Sequence, residues 1–136
     1  MALYSLAPSL VVQSAQLGGR LMGCYDADLE AITIDRDMIL DDKKCTLVHE
    51  LAHWVYDDDS RPPYGGKREC EARRLTAETL IRPDAYRQAE TMYEGDVWLM
   101  AHELGICPDI ITDYQKYVIP TLAKRERRLS WLEATS

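Results

Sequence analysis

Between Thr46 and Tyr56 the chain reads TLVHELAHWVY, and this stretch limits the possible folds more than any other. Leu47, Leu51 and Val55 recur at i, i+4 and i+8, with Val48 beside them, which is the apolar line of an amphipathic helix. On such a helix His49 and His53 stand one turn apart. Four steps of about 100° bring the second back to within about 40° of the first, ~6 Å further along. Both imidazoles therefore leave one face and can converge on a single cation, whereas two unpartnered imidazoles in so apolar a helix would be costly to bury. Glu50, one step round, misses the cation but reaches a water beside it. Zn²⁺ takes neutral imidazole nitrogens, and His49-Glu50-Leu51-Ala52-His53 is the spacing of metal-assisted hydrolysis with the glutamate as general base.

A catalytic zinc has three protein ligands and one open position, so a third ligand must come from elsewhere. His102 opens HELGI, which imitates the motif but has Ile106 where a second histidine would stand. Glu71 is the better candidate. Residues 57–66, DDDSRPPYGG, cannot continue a helix and read as a loop. That loop is short enough to fold the next helix, expected over 67–81, back antiparallel on the first. Ala72, beside Glu71, is small enough to let the two helices approach closely. Glu69 lies two positions away and faces nearly the opposite side, so only one of the two acids is expected to bind.

Upstream, 19–25 and 30–35 read as two strands joined through Asp26 to Asp28, residues that favour a hairpin turn. Ile32 and Ile34 share one face of the second strand. Residues 9–14 fit either a strand or a helical start. Asp41 or Asp42 suits a helix N-cap, and both suit the positive end of the helix dipole. Within 67–81, Ala72, Leu75 and Leu80, with Thr76 and Thr79, form the expected packing side, with Arg73 and Arg74 toward water. A helix ending at Gly95 follows, then two short helices broken at Gly105–Pro108, and Pro120 opens a final segment. A small sheet followed only by helices is an α+β plan. We divide it into a metallopeptidase-like core, 1–94, and a helical part, 95–136, packed on that core as one domain.

CTLVHELAHWVY, a polar loop and ECEARRLTAETLIRP together resemble the ImmA/IrrE family of zinc metallo-endopeptidases. His49, Glu50 and His53 match its first motif. Glu69, Glu71, Ala72, Ala77, Leu80 and Pro83 carry the second, with Leu75 and Thr76 departing from the phenylalanine and alanine usual there. AITID (31–35) resembles the strand that lines the family's cleft. The resemblance implies His49, His53 and Glu71 as zinc ligands and Glu50 as the base. It also implies regulated cleavage of a helix-turn-helix transcriptional repressor, in a phage, mobile element or stress response. Tyr25, Tyr64 and Tyr93 are all possible donors to the oxyanion. Glu78, on nearly the same face as Glu71, is either a partner to a ligand histidine or, by preference, a solvated acid.

Composition narrows the rest. A net charge of −7 argues against broad nucleic-acid binding. The helix-turn-helix-like pair over 98–117 would present Asp109 and Asp113 to phosphates, so it reads as a structural or substrate-docking unit. Cys24, Cys45, Cys70 and Cys107 form no C-x-x-C and are expected to be reduced thiols; Cys45, one turn before His49, reads first as packing. No apolar run approaches the ~20 residues of a membrane span, and the N-terminus lacks the basic start of a secretory signal, so the cytoplasm is the expected compartment. In the tail, KRERR (124–128) lies between Leu122 and Leu129, which with Leu132 would dock a solvated helix; the sharper alternative is a contact for an acidic partner. A rival to the enzyme is a regulatory protein-binding module, with or without metal, that works through its helix pair.

Overall fold

The computed structural model describes residues 9–18, 21–56 and 69–135. The expected loop at 57–66, and Tyr64 within it, lie outside them. The architecture is α+β: a three-stranded sheet, then helices.

Strands β1 (Val11–Ala15), β2 (Gly23–Asp26) and β3 (Ala31–Asp35) lie in the order β1-β3-β2. β2 and β3 form the expected hairpin, with Tyr25 opposite Ile32. Its turn is held by Asp26 Oδ1, which accepts from the N–H groups of Asp28 (3.0 Å) and Leu29 (3.1 Å). The undecided stretch at 9–14 resolves as a strand, β1, running parallel to β3 with Val11 opposite Ala31. Its partner dictates that outcome: β3 is central, and its other edge would otherwise be unpaired. Tyr25, Ile32 and Ile34, with Leu10, form a small core under this sheet, against which Leu47, Leu51 and Trp54 of the next helix pack.

That helix, α1 (Leu40–Val55), carries the histidines. Its cap is Ile39, in an extended conformation with no side-chain bond, rather than Asp41 or Asp42. The two acids fall inside the first turn, where they still meet the positive end of the dipole. The Trp54 indole donates to Glu30 Oε1 at 3.2 Å, fastening the helix to the hairpin.

Next along the chain come α2 (Glu69–Leu80), α3 (Pro83–Met92), α4 (Val97–Leu104) and α5 (Pro108–Asp113). Prolines open α3 and α5, where a missing N–H costs nothing. Asp96 caps α4 by accepting from Trp98 and Leu99. Gly105, at φ 67°, ends it, and Ile106 N–H returns to Ala101 O at 3.0 Å. A second core joins Cys45, Ala77, Ile81 and Tyr86 to Met100, Ala101, Ile106 and Ile111, so the late helices share their interior with α1 and α2.

Two expectations are qualified here. Pro120 opens the final segment, as the second residue of a helix that begins at Ile119, but it does not break the chain, which stays helical from Pro108 to Thr135. A π-helical turn at Tyr114–Val118, closed by Ile119 N–H on Tyr114 O, widens the helix just before the proline ring would meet the carbonyl one turn back. Nor do the leucines of the last helix, α6 (Ile119–Thr135), all dock. Leu122 packs on the second core, while Leu129, Trp131 and Leu132 are exposed and no residue of α6 is buried. Among the described residues no helix is long and apolar enough to cross a membrane.

Candidate metal centre

α1 puts His53 fully inside and leaves His49 about a quarter exposed, because His53 faces the α2 contact squarely while His49 opens toward a cleft. Their Nε2 atoms are 3.2 Å apart, as the i, i+4 spacing requires. The carboxylate that meets them is Glu69, at the head of α2. Its Oε1 lies 3.1 Å from His49 Nε2 and its Oε2 lies 2.9 Å from His53 Nε2. Hydrogen bonds from His49 first and His53 second hold this carboxyl far below the usual carboxylate range, against the opposing effect of burial. These three residues are a group that could hold a metal ion.

Glu71 is not brought there. It is exposed, and the expectation that it completes the set is corrected to Glu69. Two helical steps separate the acids by about 200°. The face of α2 that meets α1 carries Ala72 and Thr76, both fully buried, and Glu69 is the residue one turn before Ala72 on that face. Ala72 is adjacent to Glu71 in sequence but 100° round from it, so its small size serves the approach of Glu69's face. Leu75 and Leu80 are only half-buried and Thr79 is exposed, so the packing side is Ala72, Thr76 and Ala77.

The donor set fits zinc. A tetrahedral ion with bonds of ~2.0–2.1 Å separates its ligand atoms by about 3.3 Å, close to the contacts of 2.9 to 3.2 Å seen here. Glu50 is buried, 5 % exposed, and lines the same cleft without joining the triad, the place expected for a base.

A family model, the peptidase M78 or IrrE N-terminal-like domain, matches residues 12–110, from β1 through both site helices into α5. The chain belongs to this family. No curated protein and no solved structure matches it. Membership makes the chain a peptidase of metal-dependent type at family level.

Around the centre this M78 chain forms an open cleft of about 360 Å³. Its sheet-side wall is Met22 and Gly23, so the strand beside the cleft is the edge strand β2, not the central AITID strand β3. Gly23 is there because nothing larger fits: a Cβ would come within 2.5 Å of Thr46 Cγ2 and 3.1 Å of Thr33 O. The opposite wall is α5, through Asp109, Thr112 and Asp113. Arg73, one turn after Glu69, also faces the cleft and donates from Nε to Glu69 Oε1 at 3.2 Å. Sequence reading placed it toward water and missed this bond, although Glu69 and Arg73 stand at i, i+4, the spacing of a helical ion pair.

The remaining candidates lie elsewhere. Tyr25 is buried in the sheet core and Tyr93 donates to Glu103 at 3.0 Å; neither lines the cleft. Glu78 pairs with Arg74 at 2.9 Å on the surface. His102 is exposed on α4. Cys45 is buried at the cleft wall, where its Sγ accepts the Cys107 N–H at 3.3 Å. The Cys107 thiol donates to Asp42 at 2.9 Å, and burial first, then this bond, pushes its pKa up.

Proposed function

We propose that this chain is a zinc-dependent endopeptidase acting in the cytoplasm on a protein substrate, a helix-turn-helix transcriptional repressor. The observation that carries the enzymatic part is the convergence of His49, His53 and Glu69 within hydrogen-bond distance beside a buried Glu50. The repressor, and a phage, mobile-element or stress setting, rest on the ImmA/IrrE resemblance.

His49 Nε2, His53 Nε2 and a Glu69 oxygen would hold the ion. When bound, zinc supplies Lewis acidity to the attacking water and to the scissile carbonyl. Glu50 takes the proton of the water and passes it to the leaving amide nitrogen. Glycine at 23 lets β2 pack closely on the helix that carries Thr46 and Glu50, which brings that strand to the wall of the cleft. Arg73 orients Glu69 from outside the triad, as partners of ligands do. α5 serves as the second wall of the cleft.

The test compares cells producing the wild type with cells producing Glu50→Gln, by labelling all protein N-termini. New termini in one regulatory protein, present only with the wild type, are expected. Equal termini in both, from proteins that each carry one zinc, would overturn peptidase action in favour of a regulatory binder.

A further inference from the structure

We infer that Asp109 and Asp113 make the outer wall of the cleft select a cationic side chain, so that the substrate carries lysine or arginine next to the scissile bond. This rests on the zinc-peptidase reading and extends it to substrate class.

The argument begins with charge. Four carboxylates line the cleft, Glu50, Glu69, Asp109 and Asp113, and Arg73 is the guanidinium among them. A divalent ion at the histidines offsets Glu50 and Glu69. Arg73, whose NH1 lies 3.9 Å from Asp113 Oδ1, offsets a third. Among the described lining residues one negative charge remains, and Asp109, exposed on the cleft rim, is the aspartate that Arg73 does not meet. The chain as a whole carries −7, so its long-range field adds to the local one. In a partly enclosed cleft such fields are focused and stronger than on open surface.

Shape agrees with charge. Lysine and arginine carry an apolar stem under a charged head. Met22 and Ile110 supply apolar contact in the lining, and the two aspartates stand one helical turn apart on α5 on either side of Thr112's turn. At about 360 Å³ the cleft is near the lower end of ligand sites, suited to one long side chain beside the reacting bond. An acidic side chain there would face both aspartates, a juxtaposition that costs affinity steeply.

The experiment uses three short peptidyl hydroxamates, which chelate zinc directly, identical except for lysine, leucine or glutamate next to the chelating group. Their affinities for the zinc-loaded protein are measured by calorimetry. The lysine compound is expected to bind about tenfold or more tighter than the glutamate compound. The gap should shrink with added salt, narrow to about threefold or less in Asp109→Asn/Asp113→Asn, and reverse in Asp109→Lys, whose exposed position spares the fold. Equal affinities in the wild type, or a preference that survives the double variant, would overturn the inference while leaving the peptidase reading intact. Absence of binding by all three, in protein shown to hold one zinc, would overturn both.

Discussion

Replacing Glu69 and Glu71 one at a time by glutamine should separate a metal ligand from a bystander two residues away. Loss of a partner that merely orients a ligand costs about 10–100-fold in metal affinity, so loss of a ligand itself should cost about 100-fold or more, ~2.7 kcal/mol. Zinc at a hundred times the wild-type Kd stabilises the folded protein by about 2.7 kcal/mol; at a Kd raised a hundredfold the same zinc contributes about 0.4 kcal/mol. For a chain of this size 1 kcal/mol corresponds to roughly 4 °C in Tm. The zinc-induced rise in Tm should therefore be on the order of 10 °C for the wild type and for Glu71→Gln, and about 1–2 °C for Glu69→Gln. The increment is the quantity to read. Glu69 also bonds both histidines without metal, so its removal shifts the metal-free Tm as well. Scanning calorimetry with and without zinc measures all six values. A full increment in Glu69→Gln, with a lost one in Glu71→Gln, would refute the helix-register argument and restore the exposed acid as the ligand.

Three other outcomes are expected. Gly23→Ala forces a Cβ into Thr46, a buried residue of the histidine helix, and should cost about 1–3 kcal/mol in denaturant unfolding while zinc is still bound; an unchanged midpoint would mean that β2 and α1 yield more easily than their packing implies. Ile111→Ala, at a fully buried position, should lose about 2–5 kcal/mol with an unchanged denaturant slope, and a loss under 1 kcal/mol would deny the second core its place. At pH 8, iodoacetamide should label exposed Cys70 well before Cys107, whose thiol is pushed up by burial and by Asp42; peptide mass spectrometry showing equal rates would contradict that environment.

What the sequence made legible were features with local causes. The hairpin could be read because Asp26 builds its turn within four residues, and the histidine pair because helical period alone brings i and i+4 together. The break at Gly105 and Pro108 follows from one residue that tolerates positive φ and another that opens a helix. The failures were features decided by a partner. β1 is short and half-exposed, and only β3 makes it a strand. Choosing between Glu69 and Glu71 required knowing which face of α2 meets α1, and the adjacency of Ala72 to Glu71 misled because neighbours in a helix do not share a face. The stripe Glu69, Ala72, Thr76 held the answer, at i, i+3 and i+7. Pro120 was legible as the opening of the last segment, but the unbroken helix leading into it was not, because a widened turn that absorbs a proline leaves no compositional trace.

α1 belongs to both interiors. Cys45 on one side is part of the helical core, while Leu47, Leu51 and Trp54 pack on the sheet core. The helix is thus a keel with a hull on each side, and the two histidines that could hold a metal sit on it. Its central amides can open to solvent only when one of the two cores has already given way, so they should be among the slowest in the chain to exchange their hydrogens. A substitution deep in the sheet, with no contact to the histidines, can therefore reach the metal through the tilt of a single helix. The residues that keep α1 straight thus hold the candidate ligands in register as directly as the residues that touch them.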